Sequence, residues 1–456
     1  MEKWLRVMII VVLVLSLSSC TSTENKEPAE DVELIDSQDV KNHAQQFIEL
    51  MVNENFVAAS KDFDSKMNEG FPISTFEETW NNLIEQVGNY QSQENIEIDS
   101  TNKDYDTVIV TAKFDKAILD INVVYNKNRE IAGLFFMPHI DQDNEDKQIS
   151  SAYKETEVTI GSDEWALPGT LTLPTGNGPF PLVILVHGSG PNDRDETLGP
   201  NKPFRDIAHG LAEKGIAVYR YDKRTLIHGE KIAANIESFT VKEETIDDAI
   251  IAVNTLSQND QIDKGRIYVL GHSLGGTLIP RIAAADDSIA GFIMLAGASK
   301  PIEELMLEQY QYIFSADGAI SESEQDQIDA IQVELDKIKN LKSNPNINPK
   351  EIILGAAPKY WLDLAEYDPV QSAKSIVSPL LILQGERDYQ VNMDNFEIWK
   401  NELENKSNVS YKTYPKLNHL FFEGEGKILP SEYQNQSLVP SYVINDIATW
   451  VFSEKN

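Results

Sequence analysis

The chain has 456 residues, of which 41% are hydrophobic, and it carries 39 Lys and Arg against 73 Asp and Glu, a formal net charge of −34. The length suggests two or three domains, and the hydrophobic fraction is sufficient for a large buried core. So much negative charge would repel phosphate groups, which argues against nucleic acid as a partner.

The N-terminus is typical of an exported lipoprotein. Lys3 and Arg6 precede the apolar run 7–17, which is too short to cross a bilayer but fits the core of a signal peptide. Leu17-Ser18-Ser19-Cys20 resembles the bacterial lipoprotein box, in which the cysteine is lipidated and becomes the new N-terminus. Cys20 is the only cysteine of the chain, which suits an exported protein. We therefore expect a signal peptide over residues 1–19 and an extracytoplasmic protein anchored to the membrane through Cys20. An uncleaved anchor and an ordinary signal peptide are the alternatives.

Two segments follow before the pattern of the chain changes. Residues 20–37 are acidic and contain no aromatic residue, so they predict an extended tether. Between residues 38 and 138, apolar side chains at helical spacing predict two helices, and Ser74 with Glu77 predicts a capping box for the second. The runs "YDTVIVTAKF", "AILDINVVYN" and "EIAGLFFM" then predict an antiparallel sheet. These residues are expected to form a small α+β domain, joined by a polar linker at 139–151 to the rest.

From residue 152 to the C-terminus, apolar runs alternate with helical stretches, a pattern typical of a mainly parallel sheet flanked by helices. The predicted strands lie within 181–188, 215–222, 265–272, 289–297, 379–388 and 409–415. The predicted helices between them include 203–214, 241–257 and 395–404. The alternation is interrupted between residues 300 and 361, where about sixty residues stand in place of a single crossover helix.

The stretch Gly271-His272-Ser273-Leu274-Gly275 lies between a predicted strand and a predicted helix. A sharp turn of this kind can expose a serine nucleophile at the carboxyl edge of a parallel sheet, and its flanking glycines relieve crowding. The motif alone is weak evidence, because a glycine-rich bend would also account for it. The prediction that Ser273 is a nucleophile therefore depends on partners elsewhere in the chain.

A serine hydroxyl needs a base, and the base needs a carboxylate to orient it. Of the seven histidines, His419 follows the last predicted strand and precedes the C-terminal helix, which makes it the candidate base. Asp388 follows the preceding strand and is the candidate orienting acid, with Glu386 as the alternative. Two backbone N–H groups are expected to form the oxyanion hole: that of Leu274, and that of Ser189 in the loop "HGSGPNDRD". A glycine turn with charged residues is the alternative for this loop.

Taken together, the loop "HGSGPNDRD", the run "YRYDKR" over 219–224, the turn around Ser273 and the loops of Asp388 and His419 resemble one branch of the α/β-hydrolase superfamily. This branch consists of bacterial carboxylesterases with a small N-terminal domain of unknown function, related to serine aminopeptidase-like hydrolases. The resemblance covers residue 38 to the C-terminus. It implies the α/β-hydrolase fold and hydrolysis of small acyl esters, with no metal or organic cofactor. The family usually has glycine at the position of Thr225.

Two other functions remain open at this point. A serine aminopeptidase or acyl-peptide hydrolase would use the same three residues, together with a site for the charged end of a peptide. Asp193, Asp195 and Asp222 are candidates for that site, although they are equally plausible as partners of neighbouring arginines. A catalytically inactive ligand-binding lipoprotein is the non-enzyme alternative.

The insertion at 300–361 leaves the sheet at the same edge as Ser273, so we expect it to form a helical lid over that serine. Two amphipathic helices are predicted, and Ser321 with Glu324 predicts a capping box for the second. Met306, Tyr310 and Phe314 of the first helix are candidates for lining a substrate pocket. A helical hairpin remote from the site is the alternative.

Overall fold

The computed structural model describes residues 37–99, 105–139, 151–344 and 346–454. They fall into two compact units, one ending at residue 145 and the other beginning at residue 146. The predicted signal peptide, Cys20, and nearly all of the tether and of the linker lie outside the described residues. Among the helices that the structure does describe, none is both long and apolar enough to cross a bilayer.

The first unit combines helices with an antiparallel sheet. Its helices are Ser37–Val52, Phe56–Ala59, Ser65–Gly70 and Ile73–Val87. Its strands, paired in chain order, are β1 (Tyr90–Asp99), β2 (Tyr105–Phe114), β3 (Ile118–Asn126) and β4 (Ile131–Pro138). Both predicted helices and the three predicted strands are present. Strand β1 was not predicted, because its sequence YQSQENIEID lacks the alternation of apolar and polar residues that marks a half-buried strand.

The predicted capping box of this unit is wrong. The helix begins at Ile73, directly after Pro72, and no side chain caps it. Ser74 therefore lies within the first turn instead of preceding it. The core of the unit is formed by the apolar faces of the two long helices, with Phe47, Phe76 and Trp80 buried against the sheet.

The second unit is built on an eight-stranded sheet. Its strands are β5 (Tyr153–Glu157), β6 (Gly169–Pro174), β7 (Phe180–Val186), β8 (Ala217–Tyr221), β9 (Ile262–His272), β10 (Gly291–Leu295), β11 (Leu380–Gly385) and β12 (Val409–Tyr414). Their order across the sheet is β12-β11-β10-β9-β7-β8-β6-β5. Strands β7 to β12 are paired in parallel, whereas β5 and β6 are antiparallel strands at one end. The parallel strands are the six predicted ones, and the fold class is as predicted.

Burial of both faces of the sheet explains why these strands are uniformly apolar. Residues 182–186 of β7 are fully buried, with alternate side chains in two separate cores. Helices cover both faces, as expected for parallel strands. The α-helices of this unit are Pro203–Ala212, Arg224–Ile227, Gly229–Ala234, Asp247–Leu256, Leu274–Thr277, Ile279–Ala285, Ile302–Phe314, Glu322–Lys339, Pro358–Ala365, Pro369–Ala373, Met393–Glu402 and Ser441–Ser453.

The insertion contains the two predicted helices, Ile302–Phe314 and Glu322–Lys339. The capping box of the second helix is confirmed, since Ser321 and Glu324 each bond the other's backbone N–H. The two helices share a small core of their own, to which Leu335 and Ile338 contribute. The insertion is thus a packed helical element rather than a long loop.

Candidate active site

The predicted site residues lie in loops that follow four strands of the parallel part of the sheet. Ser189 follows β7, Ser273 follows β9, Asp388 follows β11, and His419 follows β12. All four strands are parallel, so their carboxyl ends lie along one edge of the sheet. This edge is where parallel α/β sheets place their chemistry.

Ser273 sits at a strained turn between β9 and the helix that begins at Leu274. Its φ is 51° and its ψ is −116°, a backbone conformation that residues other than glycine rarely adopt. A Cβ atom at Gly271 would lie 2.3 Å from the Gly275 carbonyl oxygen, and one at Gly275 would lie 2.4 Å from the Val186 carbonyl oxygen. Both flanking glycines are therefore required by the tight packing of the turn, which leaves the Ser273 side chain half-buried at the sheet edge.

Asp388 and His419 form a buried pair. Nδ1 of His419 lies 2.7 Å from Oδ2 of Asp388, and both side chains are almost fully buried. The carboxylate also accepts hydrogen bonds from Gln384 and from the backbone N–H groups of Gln390 and Val391. A carboxylate fixed in this way keeps the proton of the imidazole on Nδ1 and leaves Nε2 as the free base nitrogen.

The alternative acid, Glu386, lies elsewhere. Its side chain is exposed and accepts a hydrogen bond from Thr413 at 2.7 Å. Within the described chain, the His419 ring is hydrogen-bonded to Asp388 alone, so its second nitrogen and the Ser273 hydroxyl are not paired with each other. Catalytic hydrogen bonds are often long without substrate and shorten in the complex.

The loop after β7 lies directly against the serine. A Cβ atom at Gly188 would lie 3.1 Å from Cβ of Ser273, so a larger residue would press on the nucleophile. The N–H of Gly188 donates to Glu196 at 2.7 Å and is already used. In the described part of the chain, the N–H groups of Ser189 and Leu274 have no acceptor. They are thus available for an oxyanion, and the role of this pair as the oxyanion hole stays a prediction.

A buried pair next to the site was not predicted. Oε2 of Glu196 lies 2.9 Å from Nδ1 of His272, and Nε2 of His272 lies 3.0 Å from the carbonyl oxygen of His419. A carboxylate oxygen lies near one nitrogen of the His272 ring and a carbonyl oxygen lies near the other, an arrangement that favours the imidazolium form. Burial opposes a charge on this ring, but Glu196, the carbonyl oxygen of His419 and Asp388 together outweigh burial and raise the pKa of His272 above its usual value. Burial also opposes the charge on Glu196, yet His272 lowers the pKa of that carboxyl.

The pair connects three loops of the site. Glu196 bonds the loop of Gly188, His272 adjoins the serine, and the carbonyl oxygen of His419 accepts from His272. The sequence analysis assigned no role to His272, which stands directly before Ser273 in the motif. No local signal in the sequence identifies the pair, because Glu196 and His272 lie in separate loops that meet only in the fold.

His187, which closes β7, has a structural role. Its Nε2 lies 3.0 Å from the carbonyl oxygen of Asp193, and burial lowers the pKa of the ring to about 4. Thr225, which replaces the glycine of related sequences, begins no unusual turn. It lies in the short helix Arg224–Ile227, and its hydroxyl donates to the Gly190 carbonyl oxygen at 3.1 Å. The threonine thus adds a bond to the loop after β7.

The three carboxylates considered for a peptide terminus already have partners. Asp222 pairs with Arg194 at 2.8 Å, and Asp195 pairs with Arg220. Asp193 accepts from the backbone N–H and the hydroxyl of Thr197. These contacts fix the loop after β7 and leave no carboxylate of this set for a charged amine.

The first helix of the insertion packs on the loop of Asp388. The ring of Tyr312 stacks on that of Tyr389, with 4.8 Å between the ring centroids. The side chain of Gln309 donates a hydrogen bond to the carbonyl oxygen of Gln390. Among the pocket candidates, Phe314 is buried, while Met306 and Tyr310 are half-buried. Met306 packs against the core shared with the second helix. Whether these three residues contact a substrate stays a prediction.

Comparison with known proteins assigns the chain by sequence. Residues 180–426 match the family described as serine aminopeptidase, S33, which spans more than half of the chain. The chain belongs to this family. Its sheet order and the four loops of the site fit the α/β-hydrolase fold predicted from the sequence. Residues 44–134 match a second family, described as a protein of unknown function, DUF3887.

One relative covers most of the chain. Esterase EstD of Thermotoga maritima is 38% identical over 407 residues, which is 89% of this chain and 93% of that protein. Est1E from Butyrivibrio proteoclasticus is 16% identical and covers 65% of this chain and 98% of its own, with a TM-score of 0.41. The acylaminoacyl peptidase of Pyrococcus horikoshii is 15% identical and covers 74% of this chain and 52% of its own, with a TM-score of 0.43. These TM-scores are too low to add to the assignment, which rests on the two sequence matches.

Proposed function

We propose that the protein is a serine carboxylesterase that forms an acyl-enzyme on Ser273. The observation that carries the proposal is the buried Asp388–His419 pair, 2.7 Å apart, which lies along the same sheet edge as Ser273. The match to an esterase over 89% of the chain supports the choice of ester as substrate.

The chemistry follows from the arrangement of these groups. Nε2 of His419 takes the proton of the Ser273 hydroxyl as its oxygen attacks the ester carbonyl carbon. The N–H groups of Ser189 and Leu274 stabilise the oxyanion that develops. His419 then gives the proton to the leaving alcohol, and Asp388 stabilises the imidazolium in between. Water, activated by the same histidine, releases the acyl group from Ser273 as a carboxylic acid.

Esters are favoured over peptides by the contacts around the site. A peptidase that recognises a charged amine needs a carboxylate to bind it, and Asp193, Asp195 and Asp222 are each held by residues of the chain. We infer a small acyl ester as the substrate class.

The location of the enzyme rests on the sequence alone. We propose that residues 1–19 are a signal peptide and that lipidated Cys20 anchors the enzyme on the outer side of a bacterial membrane. Palmitate labelling of the full-length protein in a bacterial host tests this. Label should appear in the wild type and disappear in Cys20→Ala, whereas equal labelling of the two would refute the anchor.

A paired assay tests the activity. Purified wild type should hydrolyse p-nitrophenyl esters and react with a fluorophosphonate probe, and Ser273→Ala should do neither. Aminoacyl p-nitroanilides should be turned over at least about 10²-fold more slowly than the esters, in line with the discrimination that a mismatched polar site gives. Faster turnover of the anilides would identify a peptidase, and no labelling of a folded wild type would identify a binding protein.

A further inference from the structure

The peptide that joins Gly188 to Ser189 has a role on each of its two sides. Its N–H, on Ser189, is the proposed oxyanion donor. Its carbonyl oxygen, on Gly188, accepts a hydrogen bond from Nζ of Lys223 at 2.7 Å. The N–H and C=O of one trans peptide lie in a single rigid plane and point in opposite directions. A group that holds the carbonyl oxygen therefore also sets the direction of the N–H.

Lys223 is unusually well buried for a lysine. Its side chain is 2% exposed, and its ammonium group lies 2.5 Å from Oε1 of Glu244. Buried ammonium groups are rare, because desolvation is costly unless partners replace the lost water. Glu244 is provided by a π-helical turn, Lys242–Ile246, a distortion that is frequent at functional sites. Glu244 supplies one of these partners, and the Gly188 carbonyl oxygen supplies the other.

Other polar atoms next to this peptide are also held. The N–H of Gly188 donates to Glu196 at 2.7 Å, and the side chain of Asn192 donates to the carbonyl oxygens of Gly188 and Ser189. The backbone N–H of Lys223 donates in turn to the carbonyl oxygen of Asn192 at 3.0 Å. Among the described contacts, the Ser189 N–H has no acceptor and stays available for a substrate.

We propose that Lys223 is a positioning residue for the oxyanion hole, acting through the Gly188–Ser189 peptide. Its ammonium group fixes the plane of the peptide before the substrate arrives, so that no reorganisation is needed when negative charge develops. A charged donor on the carbonyl oxygen also polarises the peptide and strengthens the N–H on its other side. Lys223 itself does not contact the reacting atoms. This inference rests on the proposed esterase function and on Ser189 as the donor.

The neighbouring residue offers a matched control. Arg224 forms a second buried ion pair, with Asp248, and its Nε lies 3.0 Å from Oδ2 of that residue. The guanidinium lies over the ring of Trp165 and bonds no atom of the Gly188 loop among the described residues. The Lys223–Glu244 and Arg224–Asp248 pairs lie in the same segments, are both buried and have the same charges. They differ in that only the Lys223–Glu244 pair contacts the Gly188 loop.

The experiment compares neutral replacements of the two pairs. Lys223→Met with Glu244→Gln removes the lysine without leaving an unpaired buried carboxylate, and Arg224→Met with Asp248→Asn does the same for the control pair. The first double variant should lose about 10²-fold in kcat on p-nitrophenyl butyrate with KM changed less than about 3-fold, the effect of weakening one oxyanion donor. The control should keep kcat within about 3-fold of wild type, because no atom of the oxyanion hole is touched. Should the first variant fail to fold, Lys223→Gln, which occupies most of the same space, should show the same loss in kcat with KM little changed.

A second readout separates positioning from general damage. A trifluoromethyl ketone adds reversibly to Ser273 and places an alkoxide oxygen in the oxyanion hole. Its inhibition constant should rise in the Lys223 variant by the same factor by which kcat/KM falls. A kcat equal to that of the control variant, or a loss that lies only in KM, would overturn the inference. If the proposed esterase function itself were wrong, the result would be different from a failure of this inference. Wild type and Ser273→Ala would then have equal ester turnover.

Discussion

The sheet edge around Ser273 and the helical insertion at 300–361 differ in how tightly the fold constrains them. At the sheet edge, added atoms at Gly271 or Gly275 would meet backbone within 2.4 Å, and the charged side chains of Glu196 and His272 are buried. In the insertion, the first helix buries Leu305 and Phe314 while most other positions of that helix are half-buried. Chemistry is thus placed where substitutions are least tolerated, and the adjacent helices can vary without disturbing it.

The largest effect should come from the reacting groups themselves. Ser273→Ala and His419→Ala should each reduce kcat for ester hydrolysis by at least about 10⁴-fold, and the double variant should be little worse than either single one, because the residues act as a unit. Steady-state kinetics on p-nitrophenyl butyrate measures this. Ser189→Ala is the matched control, since it keeps the backbone N–H and should stay within about 3-fold of wild type. A Ser273→Ala enzyme with wild-type turnover would exclude the mechanism.

The second-largest effect should come from replacing Asp388, the acid that orients His419. Asp388→Asn should lower kcat by about 10³- to 10⁴-fold, because an amide no longer favours the imidazole tautomer with the proton on Nδ1. Glu386→Gln, an exposed change two residues away, should leave kcat within about 2-fold. If Glu386→Gln proved the more damaging substitution, the acid would have been assigned to the wrong residue.

Sequence reasoning predicted the parallel strands and the four loops of the site because these features are local. Uniformly apolar runs such as 182–186 identify strands buried on both faces, and glycines next to Ser273 identify the turn. Strands β5 and β6 were not predicted. Strand β5, "YKETE", carries charged side chains on an exposed antiparallel edge, and antiparallel edge strands lack the apolar run of a central strand.

The buried charges around the site could not be predicted in the same way. Glu196 and His272 are 272 − 196 = 76 positions apart, and Lys223 and Glu244 are 244 − 223 = 21 apart. Each pairing depends on how the loops meet in three dimensions. A single sequence shows these residues as ordinary charges near a motif, without a periodicity that would indicate burial.

Breaking the buried Glu196–His272 pair should reduce the stability of the fold over a defined pH range. Glu196→Gln should lower the free energy of unfolding by about 3 kcal/mol at pH 7, because it removes the carboxylate that favours the charged form of the buried His272 ring. The raised pKa of His272 stabilises the fold at low and neutral pH, and this contribution is lost as pH rises through that pKa. The lowered pKa of Glu196 stabilises the fold at pH values above the ordinary pKa of a glutamate. This contribution is lost as the pH falls through the pKa of Glu196 in the folded protein. The loss of stability in Glu196→Gln should therefore be largest between the folded-state pKa of Glu196 and that of His272.

Chemical denaturation across pH measures the deficit. Glu425→Gln is the control, because Glu425 forms a surface ion pair with Lys416 and its side chain is 85% exposed. That control should change stability by less than about 0.5 kcal/mol at every pH. A Glu196→Gln deficit no larger than that of the control would show that the pair contributes nothing to the fold.

Substitutions in the insertion should have the smallest effect. They should change the preference for acyl chain length rather than the overall rate of ester hydrolysis. Met306→Ala, Tyr310→Ala and Phe314→Leu should change the ratio of short-chain to medium-chain ester turnover by about 3- to 10-fold, the range expected for one or two methylene groups in an apolar pocket. Fluorophosphonate labelling of Ser273 should continue in each. Val333→Ala, on the exposed face of the second helix, should leave the ratio unchanged. An unchanged ratio in all three test variants would mean that the insertion lies away from the substrate.

The acyl-enzyme is the central claim, and mass spectrometry tests it most directly. Wild type is mixed with p-nitrophenyl butyrate, quenched in acid within the first turnover and digested. We predict a butyryl mass increment on the peptide that contains Ser273, formed at the rate of the first release of p-nitrophenol and missing from Ser273→Ala. A burst of p-nitrophenol with the increment on another residue, or with none on Ser273, would contradict the account.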